Sequence, residues 1–377
     1  MKFLLVNHEY PPVGAGAATA SQAIARNLAA LGHGVVVVTA RQGKLPSYST
    51  EEGVIVYRLK CIRKRIDRSN VFEMLSFVMA AFFRLPFILA KHQPNALIIF
   101  FSLPSGPLGL VAKIFAKLPY VISLRGGDVP GLVPELDSLH KVLAPLRRVV
   151  LRHARAVIAN SEGLGKLSEA ADSYPVRVIP NGVDTEFFRP SSARSPSSAA
   201  NDPLRVLFVG RFQEQKNLEV LLRQLARVPS GSFELHLVGN GPLETRLRAL
   251  ADQLEIGELI TWHGWLPRLA LPKVYQSADC LVNPSLYEGM PNVVLEAMAC
   301  GLPVIASNIS GHEALALNGE TGIIFDVEQP DTLFSAIGRL VNDRELGHNL
   351  GTMGRARAVS EFSWRRTTDS YLELLSG

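Results

Sequence analysis

Short runs dominated by Val, Ile, Leu, Phe and Ala recur at residues 2–7, 35–39, 54–58, 96–101, 120–124, 156–159 and 176–179, and again at 204–209, 233–238, 259–262, 280–282 and 304–306. These runs are apolar at nearly every position and not at every second one, which is how strands read when both faces are covered. Stretches with helical spacing separate them, such as 18–31, so each half of the chain reads as strand, helix, strand units. An α/β fold with two doubly wound parallel sheets is predicted, and ligands bind such sheets at the carboxyl ends of the strands. Phe362, Ser363 and Trp364, followed by Tyr371, Leu372, Leu374 and Leu375, predict a closing amphipathic helix with Ser363 as its N-cap.

Length sharpens this picture. A chain of 377 residues is too long for one ordinary core and suits two domains. Residues 190–203, rich in Ser, Ala and Pro, read as the linker, leaving domains at 1–189 and 204–362. The net charge of +5 is unevenly spread: 23 Lys and Arg face 13 Asp and Glu up to Pro190, and 16 face 21 beyond it. A basic first half expects an acidic partner. No nucleic-acid-binding motif accompanies the charge, so an anionic membrane surface or a phosphorylated lipid is expected and nucleic acid is not. Cys61, Cys280 and Cys300 lack metal-ligand spacing and point to a reduced, cytoplasmic protein. The opening residues run straight into Glu9 and read as a first strand, not a signal peptide.

Residues 71–90 are the most apolar stretch, interrupted by Glu73, Arg84 and Pro86. A central Arg costs about 2.5–3.5 kcal/mol on insertion scales, which argues against a span. Arg58, Lys60, Arg63, Lys64, Arg65 and Arg68 precede the stretch. Two readings stay open: a helix lying on the inner face of the plasma membrane, or a helix buried beside the first sheet.

The chemistry concentrates at residues 288–296 (EGMPNVVLE). Pro291 suits the first turn of a helix, where its missing N–H is not needed. That start, with Gly289, Met290 and Asn292 around it, aims free amides and a partial positive charge at a phosphate or a sugar hydroxyl. Glu288 before the helix and Glu296 along it can serve a sugar and a ribose, so a nucleotide sugar fits. Four further segments stand in order with it: 10–16 (YPPVGAG), 179–184 (IPNGVD), 210–217 (GRFQEQKN) and 239–242 (GNGP). Together they resemble the retaining glycosyltransferases of family 4, whose signature is a pair of glutamates spaced as here.

The resemblance implies a GT-B fold, two Rossmann-like domains facing across a cleft, with the last helix (363–377) packing back on the first domain. It also implies transfer of a hexose from a UDP- or GDP-sugar, with retention, to a saccharide or lipid-linked acceptor in cell-surface polysaccharide or glycolipid synthesis. No Asp-x-Asp motif occurs, so no metal is expected and fixed cations must carry the departing diphosphate. Family-like roles assign Arg211 and Lys216 to that diphosphate, and the Gly16 amide closes on it. Gly241 borders the nucleotide, the backbone at Leu266 meets the base, Glu296 takes the ribose hydroxyls, and Glu288 stands at the sugar without acting as a covalent nucleophile. One segment departs from the family. At 124–128 (LRGGD), Arg125 stands where many relatives carry His. A guanidinium is no base at neutral pH; it holds a phosphate or sugar hydroxyl, or pairs with Asp128, which itself is a candidate for the sugar or acceptor. A nucleotide-sugar epimerase, a phosphorylase and a non-catalytic nucleotide-sugar-binding protein share this architecture and remain alternatives.

Overall fold

In the computed structural model, residues 1–66, 69–191 and 202–376 are described. Arg68 and most of the expected linker lie outside the described residues. The chain divides into two compact units, Met1–Asn181 with Trp364–Gly377, and Gly182–Ser363.

The first unit is built on β1 (Lys2–Val6), β2 (Gly34–Arg41), β3 (Tyr48–Glu51), β4 (Val54–Lys60), β5 (Ala96–Phe100), β6 (Tyr120–Ser123), β7 (Ala156–Ala159) and β8 (Val176–Val178). Their order in the sheet is β3-β4-β2-β1-β5-β6-β7-β8. All pairs are parallel except β3 with β4. Helices α1 (Gly16–Ala30), α2 (Val71–His92), α3 (Pro107–Ala116), α4 (Asp137–His153) and α5 (Glu162–Asp172) connect the strands. Buried residues of α2, α3 and α4 fill one face of this sheet through Phe77, Leu85, Ile88, Leu108 and Val150. Residues of α1 pack on the opposite face through Ile24 and Leu28.

The second unit holds β9 (Leu204–Val209), β10 (Phe233–Val238), β11 (Ile260–Gly264), β12 (Cys280–Asn283), β13 (Val304–Ser307) and β14 (Gly322–Phe325), ordered β11-β10-β9-β12-β13-β14 and wholly parallel. Its helices are α6 (Leu218–Leu225), α7 (Glu244–Gln253), α8 (Leu271–Ser277), α9 (Asn292–Ala299), α10 (Ser310–Glu313), α11 (Asp331–Asn342) and α12 (Arg344–Glu361). The chain then returns to the first unit as α13 (Trp364–Ser376).

Two strands were not foreseen. β3 is a polar segment, YSTE, paired antiparallel at the sheet edge, where no apolar run is required. β14 is a four-residue run completing the second sheet beside β13. Residues 182–189, expected with the first domain, pack with the second unit: Val183 and Phe188 are in its core, and Val183 N–H donates to the Phe362 carbonyl at 2.7 Å. Among the parallel strands of each sheet the order reverses once, between β1 and β5 and between β9 and β12. The carboxyl ends at those two points are where an open α/β sheet leaves a crevice for ligands.

Candidate functional site

In the second unit, β9 delivers Gly210 and Arg211 to the reversal point, and a one-turn 3₁₀ helix, Glu214–Lys216, follows. The turn is knitted to the loop after β12. Leu286 N–H donates to the Gln215 carbonyl at 2.8 Å, and Gln215 Nε2 donates to the Tyr287 carbonyl at 2.7 Å. Lys216 Nζ thereby meets Glu288 Oε1 in a mostly buried ion pair. Lys216, expected beside Arg211 on a diphosphate, thus stands against the carboxylate expected at the sugar. Gly239 and Gly241 bring the loop after β10 against the same segment. A Cβ on Gly239 would overlap the Gly210 carbonyl oxygen, and one on Gly241 would overlap the Phe212 backbone. Phe212 N–H donates to the Asn240 carbonyl at 2.9 Å, and Leu243 N–H to the Phe212 carbonyl at 3.1 Å.

Beneath Glu288 lies a polar group of Ser285, Ser307 and His312. The Ser285 hydroxyl is 3.0 Å from Glu288 Oε1 and 2.6 Å from Asn283 Oδ1. Ser307 Oγ donates to the Ser285 carbonyl at 2.5 Å and lies 3.1 Å from His312 Nδ1. His312 is fully buried, and burial holds its imidazole neutral by lowering its pKa to about 4. Its Nδ1 reaches the Ser307 carbonyl at 3.0 Å, which places the proton there and leaves Nε2 as a lone-pair acceptor with no partner. Gly311 must be small, because a Cβ would press within 2.6 Å of the Glu288 carbonyl oxygen.

Pro291 occupies the N-cap position of α9, one residue earlier than expected, and Gly289, Met290 and Pro291 are buried while Asn292 opens the helix half-buried. Glu296 is the fifth residue of α9 and is buried. Tyr275 Oη donates to its Oε2 at 2.8 Å, and Arg268 Nη1 stands 3.6 Å from its Oε1. Burial outweighs both and raises the Glu296 pKa to about 7. Arg268 itself lies over the rings of Phe187 and Phe188, at 5.2 and 5.1 Å. Leu266 is half-buried against this cluster. Nothing in the sequence ties Tyr275 or Arg268 to Glu296, since both are joined to it only by packing.

In the first unit, Asp128 is buried and engaged by backbone amides. Its Oδ1 accepts from the N–H groups of Arg125 and Gly126 at 2.8 and 3.1 Å, and its Oδ2 from that of Ser102 at 2.6 Å. The carboxylate therefore fixes the loop after β6 to the end of β5. The Arg125 side chain turns elsewhere: Nη1 donates to Asn181 Oδ1 at 2.7 Å, Nη2 to Tyr371 Oη at 3.3 Å, and the guanidinium stacks on Phe100 at 4.7 Å. Gly16 is the first residue of α1, after a loop in which Gly14 takes φ +99° and curls against Glu9. Those two glycines, Arg125 and Asp128 all follow strands at the carboxyl edge of the first sheet.

Comparison with known proteins covers both units. The family model for glycosyl transferases group 1 matches residues 191–357, and that for the glycosyl transferase 4-like domain matches residues 15–182. A GDP-mannose-dependent alpha-(1-6)-phosphatidylinositol monomannoside mannosyltransferase of Mycolicibacterium smegmatis is 26% identical over 99% of this chain and 98% of its own. Among solved structures, a sucrose-phosphate synthase from Thermosynechococcus elongatus superposes with a TM-score of 0.86, at 24% identity, over 100% of this chain and 98% of its own. Anabaena HepE in complex with UDP-glucose superposes with a TM-score of 0.78, at 19% identity, over 100% and 99%.

Proposed function

The chain belongs to the group 1, family 4 glycosyl transferases and has the GT-B fold, and from that premise we propose that it moves a hexose from a UDP- or GDP-sugar to a saccharide or lipid-linked acceptor, with retention and without a metal. The observation that carries this reading is the Lys216–Glu288 pair beside Arg211, at the carboxyl ends of β9 and β12. An ammonium and a guanidinium at that edge supply the positive charge that a departing diphosphate requires. A diphosphate arriving there competes with Glu288 for Lys216, so donor binding would free the carboxylate toward the sugar. Glu288 then steadies sugar hydroxyls or the positive charge developing at the anomeric carbon, and the leaving phosphate takes the acceptor proton. Glu296 would receive the ribose hydroxyls. The relative named for GDP-mannose and the neighbour solved with UDP-glucose support a nucleotide sugar as donor. The acceptor belongs to the first unit in this reading, with Arg125 holding an anionic group or a hydroxyl of it. We place the enzyme in the cytoplasm, peripheral on the inner face of the plasma membrane, where lipid-linked acceptors are reached.

The test has two arms. Thermal unfolding against UDP, GDP, ADP and their sugars, with and without EDTA, should show one nucleotide raising the midpoint; at 100 times its dissociation constant a ligand adds about 2.7 kcal/mol. Glu288→Gln should keep that shift while transfer falls about 100-fold or more, and the anomeric configuration of the product should match the donor by NMR. Unchanged turnover in Glu288→Gln would remove it from the reaction, and loss of transfer in EDTA would overturn metal independence.

A further inference from the structure

The helix layer α2–α3–α4 buries one side in the first sheet and leaves large apolar side chains exposed on each of the three helices. On α2, Phe72, Leu75, Met79, Phe83 and Phe87 recur at helical spacing and are exposed, Phe72 by 80%. On α4, Leu139, Val142, Leu146 and Val149 form a second exposed stripe, Val142 being 75% exposed. Ile114 and Phe115 project from the end of α3, Ile114 by 75%. Because α2 packs on α3 and α3 on α4 over the same sheet face, these stripes share one surface. Scattered exposed apolar side chains need no explanation, but stripes of them on three helices packed side by side do.

The charges on these helices choose the occupant. Exposed Arg84 and Lys91 lie on α2, Lys113 on α3, and Lys141, Arg148 and Arg152 on α4. The only acids on the three helices are Glu73 and Asp137. Glu73 is buried, held by the amides of Lys64 and Asn70 in the cap of α2. An apolar surface on helices that carry six exposed cations, Arg148 among them paired with buried Asp172, against the two acids Glu73 and Asp137 matches a layer of acyl chains beneath anionic headgroups. α2 is long and apolar enough to cross a bilayer, but Phe77, Ala81 and Leu85 bind its inner face into the core, so it lies along a membrane and not through one.

We propose that the outer surface of α2, α3 and α4 docks the first unit onto an anionic lipid bilayer, with the Phe and Leu side chains at the acyl boundary and Lys and Arg on headgroup phosphates. This deepens the membrane part of the proposed function by assigning the surface, and it holds whichever sugar is transferred.

Full-length protein would be pelleted with sucrose-loaded vesicles of phosphatidylcholine alone or with about one third phosphatidylglycerol, without donor or acceptor, so that failure leaves the transfer reading untouched. Binding is expected to the anionic vesicles, about tenfold weaker for Phe83→Ser with Phe87→Ser, for Lys141→Glu with Arg152→Glu, and in high salt. These side chains are exposed, so the thermal midpoint should stay put and any loss reads docking alone. No binding to either vesicle, or equal salt-insensitive binding to both, overturns the proposal. So does size-exclusion evidence that the protein is a dimer which Phe83→Ser with Phe87→Ser converts to monomer, since the surface would then belong to a second copy.

Discussion

A guanidinium at position 125 limits what that residue can do. Its side chain is spread over Asn181, Tyr371 and the Phe100 ring, and a guanidinium holds partners there without exchanging protons. Asp128, the neighbouring candidate, has its oxygens committed to amides and serves the loop. Glu296 carries a protonation with consequences for stability, because burial raises its pKa from 4.5 to about 7. A carboxyl with a raised folded pKa binds its proton more tightly in the fold, so its stabilising share is complete below pH 4.5 and falls as pH climbs through 7. Glu296→Gln removes that titration while keeping an acceptor for the Tyr275 hydroxyl. The midpoint of Glu296→Gln minus that of the parent should therefore rise between those two pH values and then level off. A difference flat with pH in thermal scans would remove the buried-carboxyl account.

At the scale of elements, the loops after β9, β10 and β12 are held by contacts between turns that follow different strands. The segments 210–217 and 239–242 were legible in the sequence as Gly-bearing turns after strands, but their mutual fit was not. Gly241 is one example: a methyl group there meets the carbonyl oxygen, carbonyl carbon and nitrogen of Phe212. Gly241→Ala should cost about 1–3 kcal/mol by overpacking, read as a lower urea midpoint, and should weaken nucleotide binding through the Arg211 loop. A variant with unchanged midpoint and affinity would show that the loops part freely. The pattern of buried strands was readable because apolar runs are a local property of the chain. β3 escaped because an edge strand needs no such run, and β14 because four apolar residues look alike in a strand or a helix.

At the scale of the whole molecule, the chain leaves the first unit after Asn181 and re-enters it at Trp364. The final helix is part of that unit's core through Trp364, Tyr371 and Leu375, and its Tyr371 hydroxyl is 2.6 Å from Ser123 Oγ. Tyr371→Phe should lower the stability of the first unit by about 1–2 kcal/mol, while a transition belonging to the second unit stays in place in denaturant unfolding. Movement of both transitions together would mean that the units unfold as one. The sequence by itself determined the two α/β halves, the strands and turns that bear Arg211, Lys216, Glu288 and Glu296, and the family. All of these follow from local periodicity or from residues close along the chain. Only the tertiary structure decided that Lys216 meets Glu288, that Tyr275 and Arg268 hold Glu296, that Asp128 is bound to amides, and which side of α2 is left outside. Those partners stand many residues apart, and what joins them is the order of strands in a sheet, which no stretch of sequence carries alone.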